Sequence, residues 1–172
     1  MSTQEKIKRA FERNARALEL RPAMGQGTAV TRVRVREGYT CEVEDGDWKL
    51  TADMPEKSGG ANLGPNPGVF GRSALGTCLA IAYTSFAAKR ELPVQSLEIE
   101  IQADYDARGE HGVEDIRCDY SEVRYVVSLE STASEEEVRA VLEEAEIHCP
   151  YLQIFQNPQK LRRVDKILAS GG

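Results

Sequence analysis

With 172 residues, 41% of them apolar and 29% charged, the chain has the make-up of an ordinary globular domain. That length allows roughly 70% of the unfolded surface to be buried without disulfides or a structural metal, which excludes collagenous, disordered and small disulfide-stapled classes. Basic residues number 22 and acidic ones 28, for a net charge of −6, and the short basic clusters Arg32/Arg34/Arg36 and Arg162/Arg163 sit among acids, so no nucleic-acid partner is expected.

The first residues, Met1 to Ala10, carry charges with no apolar stretch behind them, unlike a secretory signal. The longest mostly apolar run, Leu75 to Ala88, is broken by Thr77, Thr84 and Ser85 and falls short of the ~20 residues of a membrane span. A cytoplasmic protein without a membrane partner is expected, organised as a single domain over 1–172. Residues 3–20 read as an amphipathic helical extension, with Ile7, Phe11, Ala15 and Leu18 at helical spacing. Arg21-Pro22 ends it, because a residue before proline avoids the helical region.

From Thr28 the period changes to two, with Val30, Arg32, Arg34 and Arg36 on one side of a strand and Ala29, Thr31, Val33 and Val35 on the other. Gly38 turns the chain, and Tyr39 to Val43 and Trp48 to Ala52 make two further strands around Glu44-Asp45-Gly46-Asp47, a hairpin signal. An N-terminal antiparallel sheet is predicted. Met54 to Pro67 is a loop punctuated by prolines and glycines, in which Gly59-Gly60-Ala61-Asn62 lets the backbone approach something closely; it has neither the Gly-Lys-Ser/Thr ending nor the setting of a nucleotide loop.

Pro67 to Glu91 reads as a helix apolar almost all round, hence buried at the centre of the molecule or in a subunit interface. Two long strands follow, Ser96 to Tyr105 and Ile116 to Glu130, joined by the polar turn Arg108 to Gly112. Ser134 and Glu137 form a capping box opening a helix that turns Val138, Val141, Leu142 and Ala145 inward and stops at Pro150. The tail from Asn157 is ambiguous, since Leu161, Val164 and Leu168 fit a helix while Lys160 to Leu168 also suits a sheet edge.

Four cysteines, Cys41, Cys78, Cys118 and Cys149, are far apart without a CxxC pair, and His111 and His148 add no ligand spacing, so no metal site is expected. In a cytosolic chain such thiols are packing residues or redox groups. Cys78 lies on the apolar helix, where a free cysteine packs as a small hydrophobe. Cys149, in His148-Cys149-Pro150-Tyr151, stands at a helix terminus one turn after Ala145. Each falls on the inward face of its own helix, so contact between them is permitted.

Gly64-Pro65-Asn66-Pro67, then Ser73-Ala74-Leu75-Gly76-Thr77-Cys78-Leu79-Ala80 on the central helix, then a two-strand block and an acidic helix ending in His148-Cys149-Pro150, together resemble the OsmC/Ohr family of osmotically inducible and organic hydroperoxide resistance proteins. The resemblance spans roughly Val30 to Pro158. It implies a two-lobed α+β fold, with antiparallel sheets around a long buried central helix, in an intertwined homodimer. It further implies an organic hydroperoxide reductase with no bound cofactor, recycled by an external dithiol, either a lipoylated protein or a small thiol.

Carried over residue by residue, Cys78 matches the peroxidatic cysteine and Cys149 the resolving one. A thiolate attacks the peroxide, and the resulting sulfenic acid condenses with the second thiol before it oxidises further. Such a thiolate needs a cation or a helix N-terminus beside it, and Cys78 lies too far along its helix for the latter. In the family an arginine of the N-terminal sheet serves; Arg36 is the best match here, with Arg34 and Arg32 as competitors. A family glutamate that clamps this arginine follows the second proline of the Asn-Pro motif, and here that position is Gly68. The departure favours an alternative reading, in which the fold binds a small apolar ligand or senses redox state while Cys78 and Cys149 persist as packing or sensor residues.

Overall fold

A computed structural model describes residues 1–167 of the chain. Leu168, part of the ambiguous tail, lies outside the described residues; from Asn157 to Ile167 the chain forms neither helix nor strand, so both readings of the tail are corrected as far as Ile167. Helix α1 spans Thr3–Leu20 and starts at a capping box made by Ser2 and Glu5. It touches the rest of the molecule mainly through its first half. Phe11 meets Phe86 edge-on at 5.3 Å, and Gln4 donates to the carbonyl of Leu92, whereas Ala15 and Leu18 stay exposed.

Strands β1 (Arg32–Glu37), β2 (Thr40–Asp45) and β3 (Trp48–Ala52) form an antiparallel sheet in the order β1-β2-β3. Asp45 pairs with Trp48 around a turn in which Gly46 has a φ of 54°, the left-handed conformation that the Asp-Gly pair announced. The first strand begins at Arg32 rather than Thr28, since its pairing with β2 ends at Arg32 opposite Glu44. The register sets Val33 and Val35 beside Val43 and Cys41, and these beside Leu50 and Ala52. One face of the sheet is therefore apolar, and it stands open, with Trp48 at 76% exposure.

Helix α2 (Pro67–Lys89) is capped by the Asn66 side chain, which accepts the N–H of Val69, with Pro67 in the first turn where its missing donor costs nothing. It packs against α1, β4 (Ser96–Asp104), α4 (Glu135–Ile147) and α5 (Pro150–Gln156). Leu75, Leu79, Tyr83 and Phe86 of α2 meet Val141, Ala145 and Leu152 in one core. Gly76 lets α2 come close to β4, because a Cβ there would stand 3.2 Å from Ile101. The opposite face of the helix, with Ser73, Thr77, Ile81 and Thr84, is uncovered among the described residues, and Ile81 is 67% exposed.

β4 pairs with β5 (Glu122–Glu130) from Ser96 opposite Glu130 to Asp104 opposite Glu122. The second strand thus starts at Glu122 and not at Ile116. β4 offers no partner beyond Asp104, and the chain from Arg117 instead runs against the short helix α3 (Ala107–Glu110), so close that a Cβ on Gly109 would lie 2.3 Å from the Arg117 carbonyl oxygen. The acidic helix α4 opens on the Ser134–Glu137 capping box and ends at Ile147, after which α5, absent from the sequence reading, begins at Pro150. No helix among the described residues is long and apolar enough to cross a membrane.

Candidate active site

Two elements, one from the middle of the chain and one 71 residues further on, bring the predicted thiols together. Cys78 stands on α2 between Leu75 and Leu79, both buried. Cys149 stands in the link between α4 and α5, where it is the N-cap residue of α5. Their sulfurs are 3.5 Å apart and both thiols are free. A disulfide requires about 2.05 Å, so the pair is in van der Waals contact, with a short movement separating it from a covalent bond.

The two thiols are not equivalent. Cys149 is 0% exposed, whereas Cys78 is half-buried, so a solute reaches Cys78 first. Burial pushes the Cys149 thiol up from its ordinary value, against a smaller opposing influence of the Leu152 and Tyr151 amides. Its S–H donates to the Cys78 sulfur. Leu97, Ile99, Ile101, Val123 and Val127 pack against the same core and give the pair an apolar setting.

Arg36 lies elsewhere within the chain. It is 59% exposed on β1 and pairs with Glu42 of β2, and none of its hydrogen bonds or ion pairs reaches the central helix. Arg34 likewise pairs with Glu44, at 2.5 Å. Gly68, in the first turn of α2, faces a different arginine. A Cβ on Gly68 would stand 3.1 Å from Nη1 of Arg72, 3.2 Å from Oδ1 of Asn66 and 3.5 Å from the hydroxyl of Tyr120. Arg72 and Arg124 are the half-buried arginines among the described residues; Arg124 is paired with Asp104 at 2.6 Å, while Arg72 has only the Tyr120 hydroxyl, at 3.2 Å.

The close approach predicted for Gly59-Gly60-Ala61-Asn62 has an internal partner. Asp53, 2% exposed, accepts the N–H groups of Met54 at 2.7 Å, Leu63 at 3.2 Å and Ala61 at 3.3 Å, with the Thr40 hydroxyl at 3.1 Å. A Cβ on Gly60 would lie 1.9 Å from the Met54 carbonyl oxygen, so only glycine lets the loop wrap around this carboxylate. Burial pushes Asp53 up, but these four donors outweigh it and hold the carboxyl below its usual range. Asp53 escapes sequence reasoning because its partners are mostly backbone amides; an aspartate closing a strand ahead of a glycine-rich loop was the available sign. A cavity of about 360 Å³ opens beside it, lined among others by Tyr39, Cys41, Met54, Pro67 and His111, and neither Cys78 nor Cys149 borders it.

Comparison with known proteins agrees with this architecture. A family model described as OsmC-like protein matches residues 59–162, a span that contains both Cys78 and Cys149. Among solved structures, an OsmC-like protein from Mycoplasma pneumoniae is 15% identical, with a TM-score of 0.66 over 77% of this chain and 90% of that one. An organic hydroperoxide resistance protein from Elizabethkingia anophelis is 16% identical, with a TM-score of 0.58 over 77% of this chain and 91% of that one. A protein from Legionella pneumophila, described as an organic hydroperoxide resistance protein OsmC and predicted redox protein, is 18% identical, with a TM-score of 0.54 over 76% and 90%. At these identities the likeness is one of fold. No curated protein matches the chain.

Proposed function

The chain belongs to the OsmC-like protein family, and we propose that within it this protein is a thiol-dependent peroxidase that reduces organic hydroperoxides through Cys78 and Cys149. The observation that carries this reading is the 3.5 Å contact between a half-buried sulfur and a fully buried one. In the first step the Cys78 thiolate attacks an oxygen of ROOH; the O–O bond breaks, ROH leaves with a proton, and Cys78 becomes a sulfenic acid. In the second, the Cys149 sulfur attacks the sulfenic sulfur, an S–S bond forms and water departs with the thiol proton. Two electrons from an external dithiol, lipoyl-type or small, then restore both thiols.

The reaction takes place in the cytoplasm, in a homodimer whose central helices meet along the open face at Thr77 and Ile81. Ser73, Thr77 and Ile81 recur at helical spacing with no cover among the described residues, and the apolar face of the sheet at Val33, Val35, Trp48 and Leu50 is uncovered there too. In that assembly a sheet arginine, Arg36 by resemblance, reaches Cys78 of the other copy. The test is steady-state peroxide consumption with cumene hydroperoxide and dihydrolipoamide. The wild type turns over, Cys78→Ser abolishes consumption, and Cys149→Ser converts Cys78 to the sulfinic state. Turnover that survives Cys78→Ser overturns the proposal.

Gly68 favours a second reading, in which the fold serves as a ligand-binding or redox-sensing protein without efficient peroxidase activity, because no side chain at that position holds a cation near the thiols. Gly68→Glu separates the two. In a peroxidase lacking its clamp the substitution raises the second-order rate constant with a hydroperoxide, and the gain vanishes when Arg36 is replaced. An unchanged rate in the folded variant favours the second reading.

A further inference from the structure

Among the described residues Cys149 has no polar side-chain partner except Cys78, yet it stands 3.5 Å from that sulfur. The reason lies three residues upstream. The main-chain carbonyl of Glu146 accepts the N–H of Cys149 at 3.2 Å and faces the side-chain amide of Gln153, at 3.5 Å, beyond Cys149. Its side chain leaves α4 for the central helix, where Oε1 accepts the hydroxyl of Tyr83 at 2.8 Å. Tyr83 is 1% exposed and stands five positions after Cys78 on the same helix. One residue thus grips the backbone at Cys149 with its carbonyl and the helix carrying Cys78 with its carboxylate. The His148 ring, stacked on Phe86 at 5.3 Å, lies along the same seam.

Glu146 is half-buried, and a leucine in its place would fill the same space but leave the buried Tyr83 hydroxyl without an acceptor. What the carboxylate adds is direction, since it fixes the Tyr83 hydroxyl by a hydrogen bond that a hydrocarbon cannot make. Burial pushes the Tyr83 phenol well above its ordinary value, so the hydroxyl remains a donor across the pH range in which thiols react. Resting on the reading of Cys78 and Cys149 as a working pair, we propose that Glu146 is a positioning residue that sets the distance between the two sulfurs by fastening the end of α4 to Tyr83. The effective concentration of one thiol at the other depends on that fastening.

The test is the equilibrium of the full-length protein with glutathione redox buffers, read as the fraction of Cys78–Cys149 disulfide after acid quenching and thiol alkylation, which needs no peroxide. Glu146→Ala and, independently, Tyr83→Phe lower the effective concentration of the pair roughly tenfold. Glu146→Gln, whose amide oxygen still accepts from Tyr83, restores it to within about twofold of the wild type, a rescue that general destabilisation of α4 does not give. Equal effective concentrations in the wild type and both disabling variants overturn the inference, as does a Glu146→Gln protein as impaired as Glu146→Ala. A wild type that forms the disulfide in glutathione but ignores hydroperoxide refutes the peroxidase reading while leaving this one standing.

Discussion

Asp53 shows at the scale of a single residue how charge holds the entrance to the central helix in place. Its folded pKa is depressed, so the stability it contributes is fully present above the unfolded carboxylate value of about 3.9 and is lost as the pH falls through the lower folded value. An asparagine in its place would turn an amide N–H toward the amides of Met54, Ala61 or Leu63, leaving donors face to face. Asp53→Asn is therefore expected to lower the urea midpoint at pH 7, with the gap from the wild type narrowing at pH 3. A gap of the same size at both pH values contradicts the role given to the charge. Neither Asp53 nor Glu146 was legible in the sequence, and for related reasons. Asp53 is satisfied by main-chain groups that no side-chain pattern reveals, and Glu146 is one acid in a helix that also carries Glu135, Glu136, Glu137, Glu143 and Glu144. Cys78 and Cys149 were legible because each sits in a local motif.

At the scale of elements, boundaries set by local chemistry were readable, and those set by pairing were not. The bounds of β3 and the start of α4 follow from the Asp45-Gly46 turn and the Ser134–Glu137 box. The start of β5 depends on where β4 stops offering a partner, and α5 depends on a face that docks on α2; neither leaves a periodic trace in so few residues. The inward placement of Cys149 was anticipated by extending the helix from Ala145, whereas the chain breaks at His148 and the burial comes from the docking of α5. Helix α2 dominates the core, and the two sides of it should respond differently to truncation. Leu79, completely buried, should cost about 3 kcal/mol as Leu79→Ala. That loss is measurable by urea unfolding, and a cost below about 1 kcal/mol would mean that α2 is not the centre of the core.

For the whole molecule, the proposed homodimer answers to apolar surface that one chain leaves open. The three-stranded sheet presents Val33, Val35, Trp48 and Leu50 to solvent, and α2 presents Ile81, while α2 packs chiefly on α1, β4, α4 and α5. In the proposed homodimer, a second copy would cover both faces by symmetry. Light scattering at micromolar concentration should give twice the 19.1 kDa chain mass, and Ile81→Glu should shift the population toward the single chain. A monodisperse monomer in the wild type would contradict the assembly. The measurement that bears most directly on Cys78 and Cys149 as a peroxide-reducing pair is the intact mass of the fully reduced protein after one equivalent of cumene hydroperoxide, followed by peptide mapping. The expected product is lighter by about 2 Da, with Cys78 joined to Cys149 within one chain and Cys41 and Cys118 still thiols. An unchanged mass, or a disulfide that includes Cys41 or Cys118, would contradict it.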